Sequence, residues 1–476
     1  MAFRDLREFI SALKGVGDLQ EIEREVDWNL EAGAIMRLAY ERQLPAPLFT
    51  NIKGYPPGYR LMGGTLATLR RVAIAMGLDP ESPCRALVEE YIKRSENCIK
   101  PILVKDGPCK ENVITGEDID LAKFPVPILH EGDGGRYISS WHIDAIKDPD
   151  SGWVNWAMYR SMLLSKNTLA KQIAPRHHGG LIFRAKYEPR NQVMPIAMAI
   201  GVEPLCNVAA AADIPAGMDE VDVAGGLRQE PVELIKCETV DLQVPANAEI
   251  VIEAEVQPGE RVSEGPFSEF PGYVGPAIEG LVLKVKCISH RNDPILTSCC
   301  EGIPVSDGHA TKSVCCAAEL LKLLRERALP VVDLHLYPEG ALCFVVVSIN
   351  PIYGNIAHGV ASAIWSSGTI TPYVVVVDSD VDPSNLNQVL HAMATKCHPY
   401  RGIHKTEHTR GNRMWPFTTP QERRYTMGSC VYFDCTWPID WDPSQVPTRA
   451  AFDTNYPKEL QEKVLKNWKN YGYKEL

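Results

Sequence analysis

Apolar residues recur at helical spacing in the first quarter of the chain and at strand spacing in the second. Residues 4–14 (RDLREFISALK) predict an amphipathic helix stopped by Gly15. Residues 31–42, 66–77 and 83–95 predict three more helices. Between them the apolar run from Ala46 to Ile52 predicts a buried strand that ends in a turn over residues 53–59. This is a first α/β module, residues 1–115. Residues 100–130 are proline-rich and aperiodic, which predicts a connector. From Tyr137 to His290 strand-like runs dominate: YISSWHIDAI, VNWAMYRSMLL, MPIAMAIGV, IVIEAEV and LVLKVKCI. They predict a mostly antiparallel sheet or barrel over residues 116–308. Helices (313–327, 353–366, 385–396) and strands (342–349, 372–377) then alternate, which predicts an α/β layer with parallel strands over residues 309–450. Residues 404–430 read as polar and irregular. Residues 451–476 hold a terminal helix, 458–471, whose Leu460, Val464, Trp468 and Tyr471 form an apolar stripe. The fold class is therefore α/β (α+β) in three parts plus a helix suited to subunit contact.

Composition narrows the function classes. The net charge of −11 argues against a basic-patch nucleic-acid binder. No apolar run approaches the ~18–20 residues of a membrane span. The N-terminus mixes charge with apolar residues and lacks a signal peptide's apolar core, so a cytoplasmic protein is expected. The 14 cysteines include no C-x-x-C, and most sit in apolar runs as expected of reduced core residues.

The most informative stretch is Glu264-Gly-Pro-Phe-Ser-Glu269-Phe-Pro-Gly-Tyr273, which follows the strand-like run 247–256. Pro266 restricts the backbone and Gly265 relaxes it, so two carboxylates flank a shaped loop. Phe267, Phe270 and Tyr273 can exclude water and raise one carboxyl pKa, as general-acid work requires. A solvated acidic hairpin accounts for the same residues. Asn155 and Arg160, in Asn-Trp-Ala-Met-Tyr-Arg, fall on opposite faces of a regular strand, so joint use requires a bend. His177-His178 and the acidic turn around Glu220, which also offers Asp219 and Asp222, are less specific. Neither a Gly-x-Gly-x-x-Gly nor a Walker loop is present. Gly132-Asp-Gly-Gly-Arg136 reads as a tight turn near the cleft.

The Glu264–Glu269 loop resembles the E-G-P-[FY]-[GS]-[ED] loop of UbiD-family decarboxylases, and the likeness extends over nearly the whole chain. The resemblance implies a central split β-barrel that binds prenylated FMN. It implies reversible non-oxidative decarboxylation of an unsaturated or aromatic acid with release of CO2. Asn155, His178 and Glu220, at the family's spacings, would ligate a divalent ion, Mn2+ or Mg2+, which two oxygens and a nitrogen suit. K+ would sit on backbone carbonyls around Ala209–Ala212 and share Glu220. Glu269 is the implied proton donor, and Arg160 and Glu264 complete its network. Trp156, His177 and Lys396 are implied cofactor contacts, Lys396 at the phosphate. Also implied are a flavin prenyltransferase as cofactor supplier and a homodimer. Relatives active on acrylic acids carry Gln where this chain has His177. His177 and His309 either brace their loops or together suit a polar ring, and on the second reading protocatechuate, gallate or a pyrrole-type acid is expected before a cinnamic or ferulic type. The rivals are a paired-carboxylate hydrolase such as a glycosidase, which would need no flavin, and an inactive scaffold indifferent to Glu269.

Overall fold

A computed structural model describes residues 2–474. Its centre is a nine-stranded antiparallel sheet that curls into an open half-barrel. The strands run in the order Tyr137–Ser139, Ser161–Ser165, Thr168–Lys171, Ile278–His290, Ile250–Glu264, Met194–Ile200, His142–Lys147 and Val154–Ala157, with Asn112–Thr115 added on Ile278–His290. The run Met194–Ile200 is apolar at nearly every position because both of its faces are covered. Ile196, Met198 and Ile200 fill the barrel interior with Ile250, Ile252 and Ala254. Ala197 and Ala199 face the opposite way, into a core shared with the N-terminal helices. Each large aliphatic side chain so buried contributes ~1.5–3 kcal/mol.

The N-terminal module packs helices Leu6–Gly15, Glu31–Glu41, Leu69–Ala75 and Cys84–Ser95 around a four-stranded sheet. Asp5 caps the first helix by accepting from the Glu8 N–H at 2.9 Å. That sheet holds Leu19–Ile22, Ala46–Phe49, Arg60–Gly63 and, late in the chain, Ile295–Ser298, which pairs parallel with Arg60–Gly63. The strand at 60–63 follows the expected turn. Like Leu19–Ile22 it has four residues, too few to show a period.

A 20-residue helix, Asp307–Glu326, leads into a five-stranded C-terminal sheet. Its order is Val331–Leu336, Phe344–Ile349, Tyr373–Asp378, Met427–Cys435 and Ile403–Arg410, with parallel pairing only at its centre. The expected irregular stretch 404–430 is thus corrected: it contains most of an edge strand and a helix, Pro420–Tyr425. Ile403–Arg410 is paired on one side only, and its polar side chains (IHKTEHTR) lack the apolar alternation of a half-buried strand. The terminal helix is also shorter than expected, Lys458–Lys466. Asn467 caps the last turn through a 2.8 Å bond to the Lys463 carbonyl, and a 3-10 turn, Trp468–Tyr471, follows. All 14 cysteines are free and most are buried. Among the described residues no helix is long and apolar enough to cross a membrane.

Candidate active site

The acidic loop joins the two longest strands of the half-barrel. Glu264 ends Ile250–Glu264, opposite Ile278 at the start of Ile278–His290. Between them Phe267–Ser268 pairs with Val274–Gly275 in a small hairpin. Gly265 has φ +87°, which only glycine adopts without cost. The glycine-rich turn at 132–136 lies against this loop: Gly134 N–H donates to the Pro266 carbonyl at 2.7 Å, and a Cβ on Gly134 would meet the Gly265 carbonyl oxygen at 2.2 Å.

Arg160 gathers both carboxylates. Its Nε and Nη2 donate to Glu264 at 2.9 and 2.8 Å, a bidentate pair, and its Nη1 reaches Glu269. The guanidinium also lies over the Phe267 ring, 4.8 Å from its centroid. The Glu264 side chain is 0% exposed and Glu269 19%. Burial pushes the Glu269 carboxyl up. Arg160 opposes it, but Glu301 and Glu264 add to it, and the pKa stays above the ordinary value. Burial works against the Arg160 charge too, yet the two glutamates more than offset it and raise its pKa. A carboxyl whose pKa is raised sits beside one held in a bidentate salt bridge, a division that acid catalysis can use.

The bend that Asn155 and Arg160 require is present. Val154–Ala157 ends three residues before Arg160, and the chain re-enters the sheet at Ser161. Asn155 Nδ2 donates to Glu220 Oε1 at 2.9 Å, and the Trp156 N–H donates to Glu220 Oε2 at 2.8 Å. Both side-chain-bearing residues are 2% exposed. Burial pushes Glu220 up to about 7. Asn155 Oδ1 is buried without a hydrogen-bond partner. An orphaned amide oxygen beside a buried carboxylate is a poor arrangement for an empty core and a good one for a hard cation. His178 opens the helix His178–Ile182, its ring edge-on to Trp153 at 5.2 Å. Among the described residues no hydrogen bond joins His178 to Asn155 or Glu220. His177 stacks on Tyr159 at 6.0 Å.

Two sequence candidates have other partners. His309 is fully buried: its Nε2 donates to the Phe270 carbonyl at 2.7 Å, and its Nδ1 accepts from the Ser306 N–H at 3.1 Å. This is the reciprocal half of a capping box on the Asp307–Glu326 helix, so the ring braces the acidic loop and leaves no nitrogen for a substrate. Lys396 donates to Asp378 at 2.9 Å and Asp380 at 3.0 Å, and its ammonium lies over Trp437. Its polar contacts stay within the C-terminal sheet rather than at an anion site. One contributor went unread. Tyr137 donates its hydroxyl to Glu264 at 2.7 Å and packs on Phe267 at 4.3 Å. A tyrosine opening an apolar run carries no signal that singles it out.

Three family models of 3-octaprenyl-4-hydroxybenzoate carboxy-lyase match in succession: the N-terminal domain over residues 10–91, the Rift-related domain over 102–304 and the C-terminal domain over 311–435. Pyrrole-2-carboxylic acid decarboxylase of Pseudomonas aeruginosa is 35% identical over 98% of both chains. Vanillic acid decarboxylase of Sedimentibacter hydroxybenzoicus, in closed form, superposes with a TM-score of 0.88 at 30% identity, covering 98% of this chain and 99% of that one. The UbiD-class enzyme HmfF of Pelotomaculum thermopropionicum, in complex with FMN, gives 0.84 at 33% identity over 94% and 97%. An evolved dimeric HmfF holds prenylated FMN and gives 0.81 at 32% identity, with the same coverage. With family models matched in succession between residues 10 and 435, the chain belongs to the UbiD family of carboxy-lyases and is an enzyme of that family.

Proposed function

We propose that this enzyme catalyses the reversible, non-oxidative decarboxylation of an aromatic or heteroaromatic acid on prenylated FMN, with Glu269 as proton donor. The observation that carries the reading is Arg160 bound to both Glu264 and Glu269, on the loop that joins the two longest strands of a half-barrel whose relatives' structures hold FMN or prenylated FMN. Asn155 Oδ1, Glu220 and His178 would hold a divalent ion, Mn2+ or Mg2+, whose charge would favour an anionic cofactor beside it. K+ would sit on the last carbonyls of the Pro204–Ala211 helix, the end its dipole makes negative. Trp156 and His177 would border the cofactor. Lys396 and His309 do not enter this set, because their polar groups are already paired.

When bound, the prenylated flavin supplies the electron sink for the bond that releases CO2. The protein's part is to hold, exclude water and move a proton. Arg160 neutralises Glu264 bidentately and leaves Glu269 the more weakly paired of the two. The raised pKa of Glu269 favours its protonated form, and its carboxyl delivers that proton to the carbon that has lost CO2. In the carboxylation direction the carboxylate takes the proton back.

The substrate class rests on the pyrrole-2-carboxylate relative and on His177, which can donate to or accept from a polar ring. A panel of pyrrole-2-carboxylic, protocatechuic, gallic and cinnamic acids, run with enzyme purified from cells that supply prenylated FMN, tests it. Turnover of a heteroaromatic or hydroxylated acid is expected; turnover of cinnamic acid alone would overturn the class. Leu460, Leu465 and Tyr471 expose apolar surface near the C-terminus, which supports assembly as a homodimer.

A further inference from the structure

We infer that the fully buried Asp144–Lys171 ion pair is a positioning device for the active site, holding the bend at Tyr159 that lets Asn155, Arg160 and His178 serve one centre. The inference rests on the proposed roles of those three residues. Residues 158–160 make no sheet pairing, although strands lie on either side. Backbone groups that leave a ladder inside a protein need other partners. Tyr159 finds both in one ion pair. Its N–H donates to Asp144 Oδ2 at 2.9 Å, and its carbonyl accepts from Lys171 Nζ at 2.6 Å. The two charges lie 2.8 Å apart through Asp144 Oδ1, and both side chains are 0% exposed. Lys171 also donates to Ser161 Oγ at 2.8 Å, its register partner and the first residue of the resumed strand. His142 Nε2 lies 3.1 Å from Asp144 Oδ2 and fixes the carboxylate from the other side.

The side chain of the same residue reaches the second ligand-bearing segment. Tyr159 Oη accepts the Gly179 N–H at 3.2 Å, and its ring stacks on His177. Gly179 follows His178 directly, and a Cβ there would fall 2.9 Å from the Tyr159 ring. The approach is therefore as close as glycine permits. Tyr159 is tied by its backbone to the strands His142–Lys147 and Thr168–Lys171, and by its side chain to the helix that begins at His178. Ion pairs buried this deeply are often no better for stability than well-packed apolar groups. A pair placed where it replaces both lost ladder bonds of one residue instead sets where the flanking side chains point.

The test uses two variants of the full-length enzyme. Asp144→Asn with Lys171→Met removes both charges together while keeping an amide oxygen for the Tyr159 N–H. Tyr159→Phe keeps the bend and cuts only the link to Gly179. Mn2+ binding to the apoprotein is read by electron paramagnetic resonance, and kcat and KM are read on the cofactor-loaded enzyme. The double variant is expected to keep the wild-type circular dichroism spectrum, yet bind Mn2+ about 10–100-fold more weakly. Its kcat is expected to drop at least about tenfold while KM moves little, since the substrate's own contacts remain. Tyr159→Phe is expected to weaken Mn2+ about tenfold at unchanged melting temperature. A folded double variant with wild-type Mn2+ affinity and kcat would overturn the inference. If that protein does not fold, Asp144→Asn alone takes its place, and wild-type Mn2+ affinity and kcat there would overturn the inference equally. A wild-type enzyme that binds no Mn2+ would refute the ligand set instead, and the kcat-against-KM comparison in the double variant would still judge the pair through Arg160.

Discussion

Two clusters of buried charge lie on either side of one three-residue bend, and they are built from the same parts. In one, Arg160 meets Glu264 and Glu269; in the other, Lys171 meets Asp144. The difference is stoichiometry and exposure. Asp144 has a cation to itself and no exposure. Burial pushes its carboxyl up, but Lys171 and His142 more than offset that, and its pKa lies below the ordinary value. Glu269 shares one cation with Glu264 and keeps 19% of its surface, and its pKa lies above the ordinary value. One cation per carboxylate makes a fixed strut. One cation for two carboxylates leaves a group that can keep and release a proton.

The sharpest way to break this comparison is to remove the proton itself. Glu269→Gln keeps the shape of the loop and a contact for Arg160 but cannot deliver a proton. We expect kcat to fall about 10^4-fold, ~5.5 kcal/mol of barrier, with flavin content by absorbance unchanged. Turnover within tenfold of wild type would move the donor role elsewhere. Next comes the strut. Lys171→Met alone leaves Asp144 buried without its cation and should cost about 3–5 kcal/mol in urea unfolding. A loss under about 1 kcal/mol would mean that water or His142 compensates, and the strut reading would fail.

The two clusters also respond to pH with opposite sign. Asp144 is lowered in the folded state, so its contribution to stability is present above the ordinary aspartate range and is lost as pH falls through the lowered value. Glu269 is raised, so its contribution is fully present below the ordinary glutamate range and is lost as pH rises through the raised value. The protonated form of Glu269, which the proposed donor role requires, disappears along the same rise. Arg160→Lys keeps the charge and loses the fork. We expect kcat to drop about 100-fold, ~2.7 kcal/mol. The alkaline limb of its kcat–pH profile should move up, because the cation that holds the Glu269 pKa down is less well placed. A limb that moves down would show that Arg160 does not act on Glu269 by charge.

The sequence carries one cluster openly and hides the other. Glu264 and Glu269 flank a Gly-Pro turn, a pattern with a local conformational reason, and Asn155, Arg160 and Glu220 stand out once that pattern is matched. The strut has no such mark. Asp144 and Lys171 sit inside apolar runs, 27 positions apart (171 − 144), and nothing in spacing says that they meet across Tyr159. Fold legibility follows the same logic. Two-sided burial wrote the central strands as apolar runs, whereas the edge strand at Ile403–Arg410 is polar after Ile403 and reads as loop. His309 misleads in the other direction. Its place three residues after Ser306 serves a helix cap, the bracing role that stood as the alternative to a substrate contact.

The smallest expected effect tests whether the acid cluster behaves as a shared-cation system at all. Tyr137 donates to Glu264 Oε1 at 2.7 Å, the same oxygen that accepts from Arg160 Nε at 2.9 Å. Tyr137→Phe removes one donor and keeps the ring packed on Phe267. A hydrogen bond to a charged group is worth ~1.5–3 kcal/mol, but two Arg160 donors remain to take up part of that loss. We expect kcat near neutrality to fall by no more than about tenfold. The direction on the pH axis is the decisive reading. With its tyrosine donor gone, Glu264 draws more on the guanidinium, so Glu269 receives less of the one interaction that lowers its pKa. Its proton then persists to higher pH, and the alkaline limb of the kcat profile moves up by less than about one pH unit. A profile superimposable on wild type, at reduced kcat, would mean that Glu264 and Glu269 draw on Arg160 independently. The contrast with the Asp144 strut would then reduce to exposure alone.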